Sequence, residues 1–533
     1  MTTDKLGWIL VAAVVLLPLT ACGGNPPQIV DYSPERGAKD VSTATPIRIT
    51  FDHDVDMPSV ESRLHLLPAT TGNLVWVNSR QLTYEHSTLA PGTNYEVVLE
   101  AGYKDPEGNT AVLRHHWSFV TEGPPTLAGS TPANGDTGID PAAYLVVNFN
   151  RDMNNASLAN AISLSPSTPV SVRLDPTDGR RAIIAAATLL QPSTAYAIGV
   201  TTAARDADGN QLARDLSIAF TTGPVRPLRH WVAFSTITTA GAPGALWIVN
   251  ESGFPRKLWA GGVVRSFSWA PEGDRLLVQG DGEAWSVLTP GQEPAPLGFN
   301  GPWAAALASG MGYVYIDDAS ALHRVTAGGV DSVISPAVAQ ASVAPSGERL
   351  AFDEVGSRSS VVWGYDVGLQ ARYQLAEEAG PISDIIWAPA GNRIAYLRQD
   401  VATTTLKVRN LIGAGATTTI ATGADIGSPA WLPDSVHIVF AAGVQTPEGN
   451  LQKAVVVSAI APPASLTPIL GLPSDPNITV ANPVPSPDGH QIAFLNGNQV
   501  WLMNADGTRP TPLTVYDPDG FPYSCRTPAW TRA

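Results

Sequence analysis

Asp206, Asp208 and Asn210 are spaced like the oxygen-bearing side chains that open a calcium-binding loop. The segment lacks the distal glutamate that completes such a loop, and an earlier copy of the same segment, at 105–109, lacks the middle aspartate. Two interpretations are open: a calcium site, or aspartate, asparagine and glycine in a tight hairpin turn. Because the turn accounts for both copies without a metal, we expect turn chemistry here and no cofactor.

Cys22 is a second residue with chemistry of its own. It ends the run Leu19-Thr20-Ala21-Cys22, which follows an apolar stretch at 6–17. A short apolar stretch ending in small residues is typical of a signal peptide, because a bilayer span needs about 20 apolar residues. The run resembles the lipobox of bacterial lipoproteins, in which this cysteine is diacylated and becomes the first mature residue. The resemblance implies a signal peptide at 1–21, a lipidated tether at 22–28, and a membrane-anchored, extracytoplasmic location. An ordinary signal peptide or an uncleaved anchor is the alternative.

Composition limits the number of domains and the class of partner. A chain of 533 residues is too long for one core and suggests three or four domains. Only 15% of residues are charged, and 48 Gly and 46 Pro suit short strands joined by tight turns. The net charge of −15 without a basic stripe argues against nucleic acid as a partner. With Cys22 acylated, Cys525 has no partner for a disulfide within the chain.

Two copies of one unit occupy residues 29–122 and 123–223. Residues of the first copy recur 98 positions later at its start and 101 positions later at its end. The recurring residues are Pro34, Gly37 and Phe51, then Leu89, Tyr95, Asp105, Gly108, Asn109, Phe119 and Thr121. Alternating apolar and polar residues, as at 46–51, predict a β-sandwich of about seven strands per copy. The pattern resembles the SbsA-type bacterial Ig-like domain, whose members serve as spacers or adhesive modules. The resemblance implies a stalk and no catalysis.

A different repeat fills residues 229–533. Its core phrase is Trp-x-Pro-x-Gly-x-x-Ile/Leu-Ala-Phe/Tyr, and the prolines of its clear copies are Pro271, Pro345, Pro389, Pro433 and Pro487. A period near 44 residues with several strands per unit is typical of a β-propeller. The phrases resemble the TolB-type, WD-repeat-like propeller. This resemblance specifies the fold and says little about function. The fold class is therefore all-β.

The two ends of this region predict how the ring closes. The segment at 230–234 matches the second strand of the repeat, so the first blade lacks its opening strand. The chain ends with an orphan copy of that strand at 527–530. A C-terminal strand that completes the first blade would remove an exposed sheet edge. A degenerate copy at 307–315 brings the count to seven blades, and six remain possible if 298–335 is an insertion.

The functional interpretation is a binding or scaffold protein whose propeller face meets a protein or glycan partner. Trp269, Trp387, Trp431 and Trp530 share one repeat position, which favours packing between blades over a ligand-stacking platform. Four other aromatics are expected on the surface: Tyr315, Trp363, Tyr365 and Tyr523. No local catalytic motif is present, such as Gly-x-Ser-x-Gly or His-Glu-x-x-His. Two alternatives remain: an enzyme of lyase, lactonase or glycosidase type with its site in the channel, and a purely structural envelope component.

Overall fold

The structure is a computed structural model, and it describes most of the chain after residue 23. The described residues are 24–224, 226–238, 244–259, 263–280, 282, 284–356, 359–412, 415–445, 451–461, 466–470, 480–514 and 523–531. Cys22 and the signal segment at 1–21 lie outside them. The chain divides into two compact units: Met1–Leu127 with Phe149–Leu158 and Thr201–Asp215, and Ala128–Asn148 with Ala159–Val200 and Leu216–Ala533. Within the described part, no helix has the length and apolarity that a membrane span needs.

The first Ig-like region is a sandwich of two antiparallel sheets with one short helix, α1 (Met57–Glu61). Its strands are β1 (Ile29–Ser33), β2 (Ile47–Phe51), β3 (Leu64–Leu67), β4 (Gly72–Asn78), β5 (Gln81–His86), β6 (Asn94–Leu99) and β7 (His115–Val120). The sheet orders are β1-β2-β5-β4 and β3-β6-β7. Ile47, Ile49 and Phe51 are buried while Arg48 between them is exposed, as the alternation at 46–51 predicts.

The second Ig-like region repeats this architecture, with α2 (Asn155–Ala161) in place of α1. Its strands are β8 (Leu127–Thr131), β9 (Asp136–Ile139), β10 (Leu145–Phe149), β11 (Ile162–Ser165), β12 (Val170–Asp175), β13 (Asp178–Ala186), β14 (Ala195–Val200) and β15 (Leu216–Thr222). The sheet orders are β12-β13-β10-β8 and β11-β14-β15-β9. The two copies share individual hydrogen bonds: the Tyr95 hydroxyl accepts from the Ala90 amide at 3.0 Å, and the Tyr196 hydroxyl accepts from Gln191 at 3.0 Å.

The described strands of 229–533 form seven four-stranded antiparallel sheets, which we number as blades 1 to 7. Blade 1 contains β16 (Val232–Thr238), β17 (Leu246–Val249) and β18 (Arg256–Trp259), and it is completed by β43 (Tyr523–Trp530). Blade 2 contains β19 (Ser266–Trp269), β20 (Leu276–Gln279), β21 (Ala284–Leu288) and β22 (Ala295–Asn300). Blade 3 contains β23 (Trp303–Ala306), β24 (Tyr313–Ile316), β25 (Leu322–Val325) and β26 (Asp331–Ser335), within the segment considered above as an insertion.

The remaining four blades follow the same meander from the innermost strand outwards. Blade 4 contains β27 (Val338–Val343), β28 (Arg349–Val355), β29 (Ser360–Asp366) and β30 (Ala371–Glu378). Blade 5 contains β31 (Ile382–Trp387), β32 (Arg393–Gln399), β33 (Thr404–Asn410) and β34 (Thr417–Gly423). Blade 6 contains β35 (Gly427–Trp431), β36 (His437–Gln445), β37 (Leu451–Ala459) and β38 (Leu466–Leu470). Blade 7 contains β39 (Val480–Pro485), β40 (Gln491–Asn496), β41 (Gln499–Asn504) and β42 (Thr511–Pro512).

The C-terminal strand closes the ring as predicted. β43 pairs antiparallel with β16, with Val232 opposite Trp530 and Thr236 opposite Cys525. It also contacts β39 of blade 7, so the last strand of the chain joins the first and the last blades. Cys525 is a free, buried thiol, and burial raises its pKa to about 12. The closure pairs the inner edge of β16 and gives blade 1 four strands, like the other blades.

Candidate functional site

The seven innermost strands of the propeller surround one cavity of about 660 Å³. These strands are β43, β19, β23, β27, β31, β35 and β39, and along the chain each of the six from β19 onwards contacts the next. The cavity lies where the innermost strands end, and its wall is mainly tryptophan, proline, alanine and valine. Its polar groups are the hydroxyls of Ser268, Ser342, Ser486 and Thr531. Such a cavity can hold an apolar segment and orient it through a few hydrogen bonds.

The four repeated tryptophans pack between blades, which confirms that part of the prediction. Trp269, Trp387, Trp431 and Trp530 are each only 6–7% exposed. Each belongs to a core cluster that includes residues of the preceding blade. Trp387 donates from Nε1 to the Ser342 carbonyl at 3.1 Å, and Trp530 donates to the Val484 carbonyl at 2.8 Å. They line the cavity, although most of each side chain is buried between blades.

Upstream of the tryptophan position, the innermost strands of five blades contain a β-bulge at the same place, and in four of these a bulge residue has a positive φ. The bulge residues with positive φ are Asp384, Ser428, Asn482 and Thr527, with φ between 45° and 52°. Register shifts in the ladders with β32, β36, β40 and β16 mark the same bulges. Non-glycine residues with positive φ are uncommon and concentrate where a side chain is re-aimed for binding. Ser428 donates to the Asn482 side-chain oxygen at 3.0 Å, so the bulges of blades 6 and 7 meet.

Asp384 is the charged member of this set. One edge of β31 is paired with β32, and its neighbouring residues pack on blades 4 and 6, so an exposed side chain in this strand faces the channel. The Asp384 side chain is exposed, yet burial by the surrounding protein raises the pKa of its carboxyl group. The exposure and the raised pKa are compatible, because a carboxylate can face an open channel and still be surrounded by protein on most sides.

Hydrogen bonds join the calcium candidates Asp206, Asp208 and Asn210 in one turn. Asp206 Oδ1 accepts from the Asn210 amide at 2.8 Å and from the Asp208 amide at 3.1 Å, and Asp206 Oδ2 accepts from Asn210 Nδ2 at 3.0 Å. Asp105 and Asn109 make the same pair of bonds in the first copy, at 2.8 and 2.5 Å. Over the described ranges, no group of three or more His, Cys, Asp or Glu has the geometry to hold a metal ion.

Glu122 is a residue whose role the sequence did not indicate, since it is only the last residue of the first repeated unit. It is buried, pairs with Arg151, and accepts from Asn210 Nδ2 at 3.2 Å. Ser42 and Thr43 extend the network: Ser42 donates to Asp208 at 2.7 Å, and Thr43 donates to Asn210 Oδ1 at 3.0 Å. Burial, and then a hydrogen bond with Asp208, raise the pKa of Glu122 to about 7.

The prediction of a surface position was wrong for Tyr315 and Tyr365, which are buried. Tyr315 lies 4.3 Å from the Phe299 ring, centroid to centroid, and donates to Asp331 at 2.7 Å. Trp363 is half-buried beneath the Arg372 guanidinium, and the Tyr523 side chain lies outside the described residues. Strand alternation alone does not identify outward positions in blades, because both faces of a blade are covered by neighbouring blades.

A second feature that the sequence missed is a buried arginine in the larger unit. Arg256 in β18 of blade 1 is fully buried, and it donates to the carbonyls of Ala142 at 2.7 Å and Ala143 at 2.9 Å. Its guanidinium lies 4.2 Å from the Tyr144 ring centroid. Desolvation lowers its pKa to about 10, so it stays charged at neutral pH. The buried guanidinium of Arg256 therefore holds blade 1 to the loop between β9 and β10.

Comparison with known protein families identifies the N-terminal part of the chain. The family described as bacterial Ig-like domain matches residues 24–121 and 122–222. No curated protein matches the chain. Among solved structures, TolB from Acinetobacter baumannii is similar with 12% identity and a TM-score of 0.38, covering 77% of this chain and 99% of that one. A putative TolB from Agrobacterium tumefaciens has 15% identity and a TM-score of 0.35, covering 57% of this chain and 99% of that one.

An enzyme is also among the similar structures. Oligogalacturonate lyase from Vibrio parahaemolyticus has 11% identity and a TM-score of 0.38, covering 53% of this chain and 84% of that one. Likenesses this distant carry no inference about activity. The propeller assignment depends instead on the sheet order and the closure of this chain. The chain thus carries two tandem bacterial Ig-like domains, at 24–121 and 122–222, followed by a β-propeller.

Proposed function

We propose that this chain is an extracytoplasmic lipoprotein that binds a protein partner at the propeller channel and catalyses no reaction on it. Ig-like domains joined to a propeller suggest a binding or scaffold role. The observation that carries the finer proposal is the cavity of about 660 Å³ to which all seven innermost strands contribute. Its rim includes Pro389 and Pro487, two exposed prolines in equivalent turns. Apolar, aromatic-lined depressions of this kind suit a peptide segment.

The same wall favours a protein over a glycan as the partner. Sugar recognition uses the exposed face of an aromatic ring, and four of the five tryptophans that line the cavity are only 6–7% exposed. Proline and alanine, in contrast, offer apolar contact to a side chain without offering many hydrogen bonds. The net charge of −15 makes nucleic acid an unfavourable partner.

The proposal places the chain at a membrane through a lipid on Cys22. The two Ig-like domains follow the tether and serve as the spacer between the lipid and the propeller. Two acyl chains would give a stable anchor, whereas one chain alone gives reversible binding. This part of the proposal depends on the lipobox run at 19–22.

Site-specific photo-crosslinking in the native envelope tests the binding function. A photoreactive residue replaces Pro389 at the cavity rim in one strain and Pro510 in another. Pro510 is also exposed but does not line the cavity, so it is the matched control. We expect one crosslinked protein, identified by mass spectrometry, from position 389 and not from position 510.

Pro389→Glu should abolish recovery of that partner, since it adds a charge to an apolar rim, while Pro510→Glu should not. Equal crosslinking from both positions, or none from position 389, would overturn the proposed site. Recovery of a carbohydrate polymer crosslinked at position 389 would show that the partner is a glycan and not a protein.

A further inference from the structure

The position upstream of the cavity contains one ionisable residue among the seven innermost strands. At the equivalent position of the seven innermost strands lie Ser266, Trp303, Gln340, Asp384, Ser428, Asn482 and Thr527. Of these, Asp384 alone is ionisable. The described residues form no hydrogen bond or ion pair with its carboxylate, and no neighbouring charge accompanies burial as a cause of its pKa shift. A carboxylate that is partly removed from water and has no cation beside it is less stable in its charged form than a carboxylate in water.

The position of Asp384 is held by blade 4. Gln340 in β27 donates from Nε2 to the Ile382 carbonyl at 2.6 Å and accepts at Oε1 from the Ile385 amide at 3.3 Å. These two bonds lie on either side of Asp384 in the chain. Gln340 is held in turn by Asp353, which is fully buried and accepts from the Gln340 amide at 2.8 Å. Because a positive φ persists in a non-glycine residue only where its surroundings fix it, this network maintains the bulge at Asp384.

The residues at the equivalent position of the other innermost strands offer hydrogen bonds but no second charge. Asn482 accepts from Ser428 at its side-chain oxygen, which leaves its amide directed elsewhere as a donor. Thr527 shares a hydrogen bond with Ser235 at 3.2 Å. One acceptor carboxylate among neutral polar groups matches a ligand with one positive charge and several hydrogen-bonding atoms.

We propose that Asp384 binds a lysine or arginine side chain of the partner's peptide segment inside the propeller channel. The inference deepens the proposed function and rests on it: the apolar cavity holds the segment, and Asp384 selects a basic residue within it. The charge balances when the cation enters, and the acidic net charge of the chain favours its approach.

Selection from a random linear peptide library on the immobilised full chain tests this inference. Asp384→Asn removes the charge and keeps the shape, and asparagine tolerates the positive φ of this position. Asp318→Asn is the matched control, since Asp318 is an exposed aspartate in a turn of blade 3. Thermal unfolding of each variant verifies that the propeller remains folded.

We expect the unaltered chain and Asp318→Asn to enrich peptides containing lysine or arginine, and Asp384→Asn to bind the enriched peptide at least about 10-fold more weakly. Replacing the basic residue of that peptide by norleucine should weaken binding to the unaltered chain and leave binding to Asp384→Asn unchanged. Enrichment of peptides without basic residues, or equal binding by Asp384→Asn, overturns the role of Asp384 while peptide binding stands. Enrichment of no peptide overturns the proposed function and this inference together.

Discussion

Arg256 gives the sharpest test of how the larger unit is held together. We expect Arg256→Met to weaken the attachment of the loop at Ala142 and Ala143 to blade 1. Each bond from a charged donor to a carbonyl contributes about 1.5–3 kcal/mol, and the cation–π contact with Tyr144 adds about 0.5–2 kcal/mol. Removing the buried guanidinium also relieves its desolvation, which offsets part of this sum. The net cost is about 3 kcal/mol, or about 100-fold in the local opening equilibrium.

Native-state proteolysis of the full chain measures that opening. Cleavage between β15 and β16 should be about 100-fold faster in Arg256→Met, because cleavage follows the population of the open form when closing is fast. Arg256→Lys keeps the charge and loses the paired donors, so an intermediate rate is expected. Arg349→Met is the control: Arg349 lies over Trp387 at 5.1 Å and donates to the Gly391 carbonyl at 2.7 Å, within the propeller. Equal cleavage rates for Arg256→Met and the unaltered chain would refute the reasoning.

Three further predictions concern the two ends of the chain and its acidic network. Mass spectrometry of membrane-extracted protein should find a lipid-modified N-terminal peptide starting at Cys22, and a Cys22→Ser chain should leave the membrane fraction; cleavage elsewhere would contradict the anchor. Deleting 522–533 removes β43 and the buried Trp530, and the loss of that tryptophan alone costs about 3–5 kcal/mol. Calorimetry should therefore show no cooperative propeller transition in this variant, whereas deleting 532–533 should have little effect. The pKa of Glu122 is raised to about 7, so its contribution to stability is complete below its usual value near 4.5 and is lost as pH rises through 7. The unfolding temperature of the first Ig-like domain should therefore fall between about pH 4.5 and 7 in the unaltered chain and in Glu107→Gln, but much less in Glu122→Gln. An equal fall in all three would show that another group is responsible.

The repeats, the all-β class and the ring closure could all be predicted from the amino-acid sequence. Each of these is encoded locally: apolar residues alternate along a strand, and turns recur with the same Pro and Gly residues. The orphan strand at 527–530 predicted the pairing of β43 with β16, because a repeat missing at one end must be supplied from the other. The turn at Asp206 was equally predictable, since its hydrogen bonds lie within five residues.

The buried polar contacts, in contrast, become visible only in the folded chain. Glu122 pairs with Arg151, and Arg256 meets the carbonyl of Ala142, over separations of 29 and 114 residues. No periodicity connects such partners. The residues equivalent to Asp384 were hidden for another reason: they share a backbone position but not a residue type, so no repeated residue marks them in the sequence. A pattern of residue types records what is buried along a strand, whereas a bulge and a long-range contact depend on how blades pack around the channel.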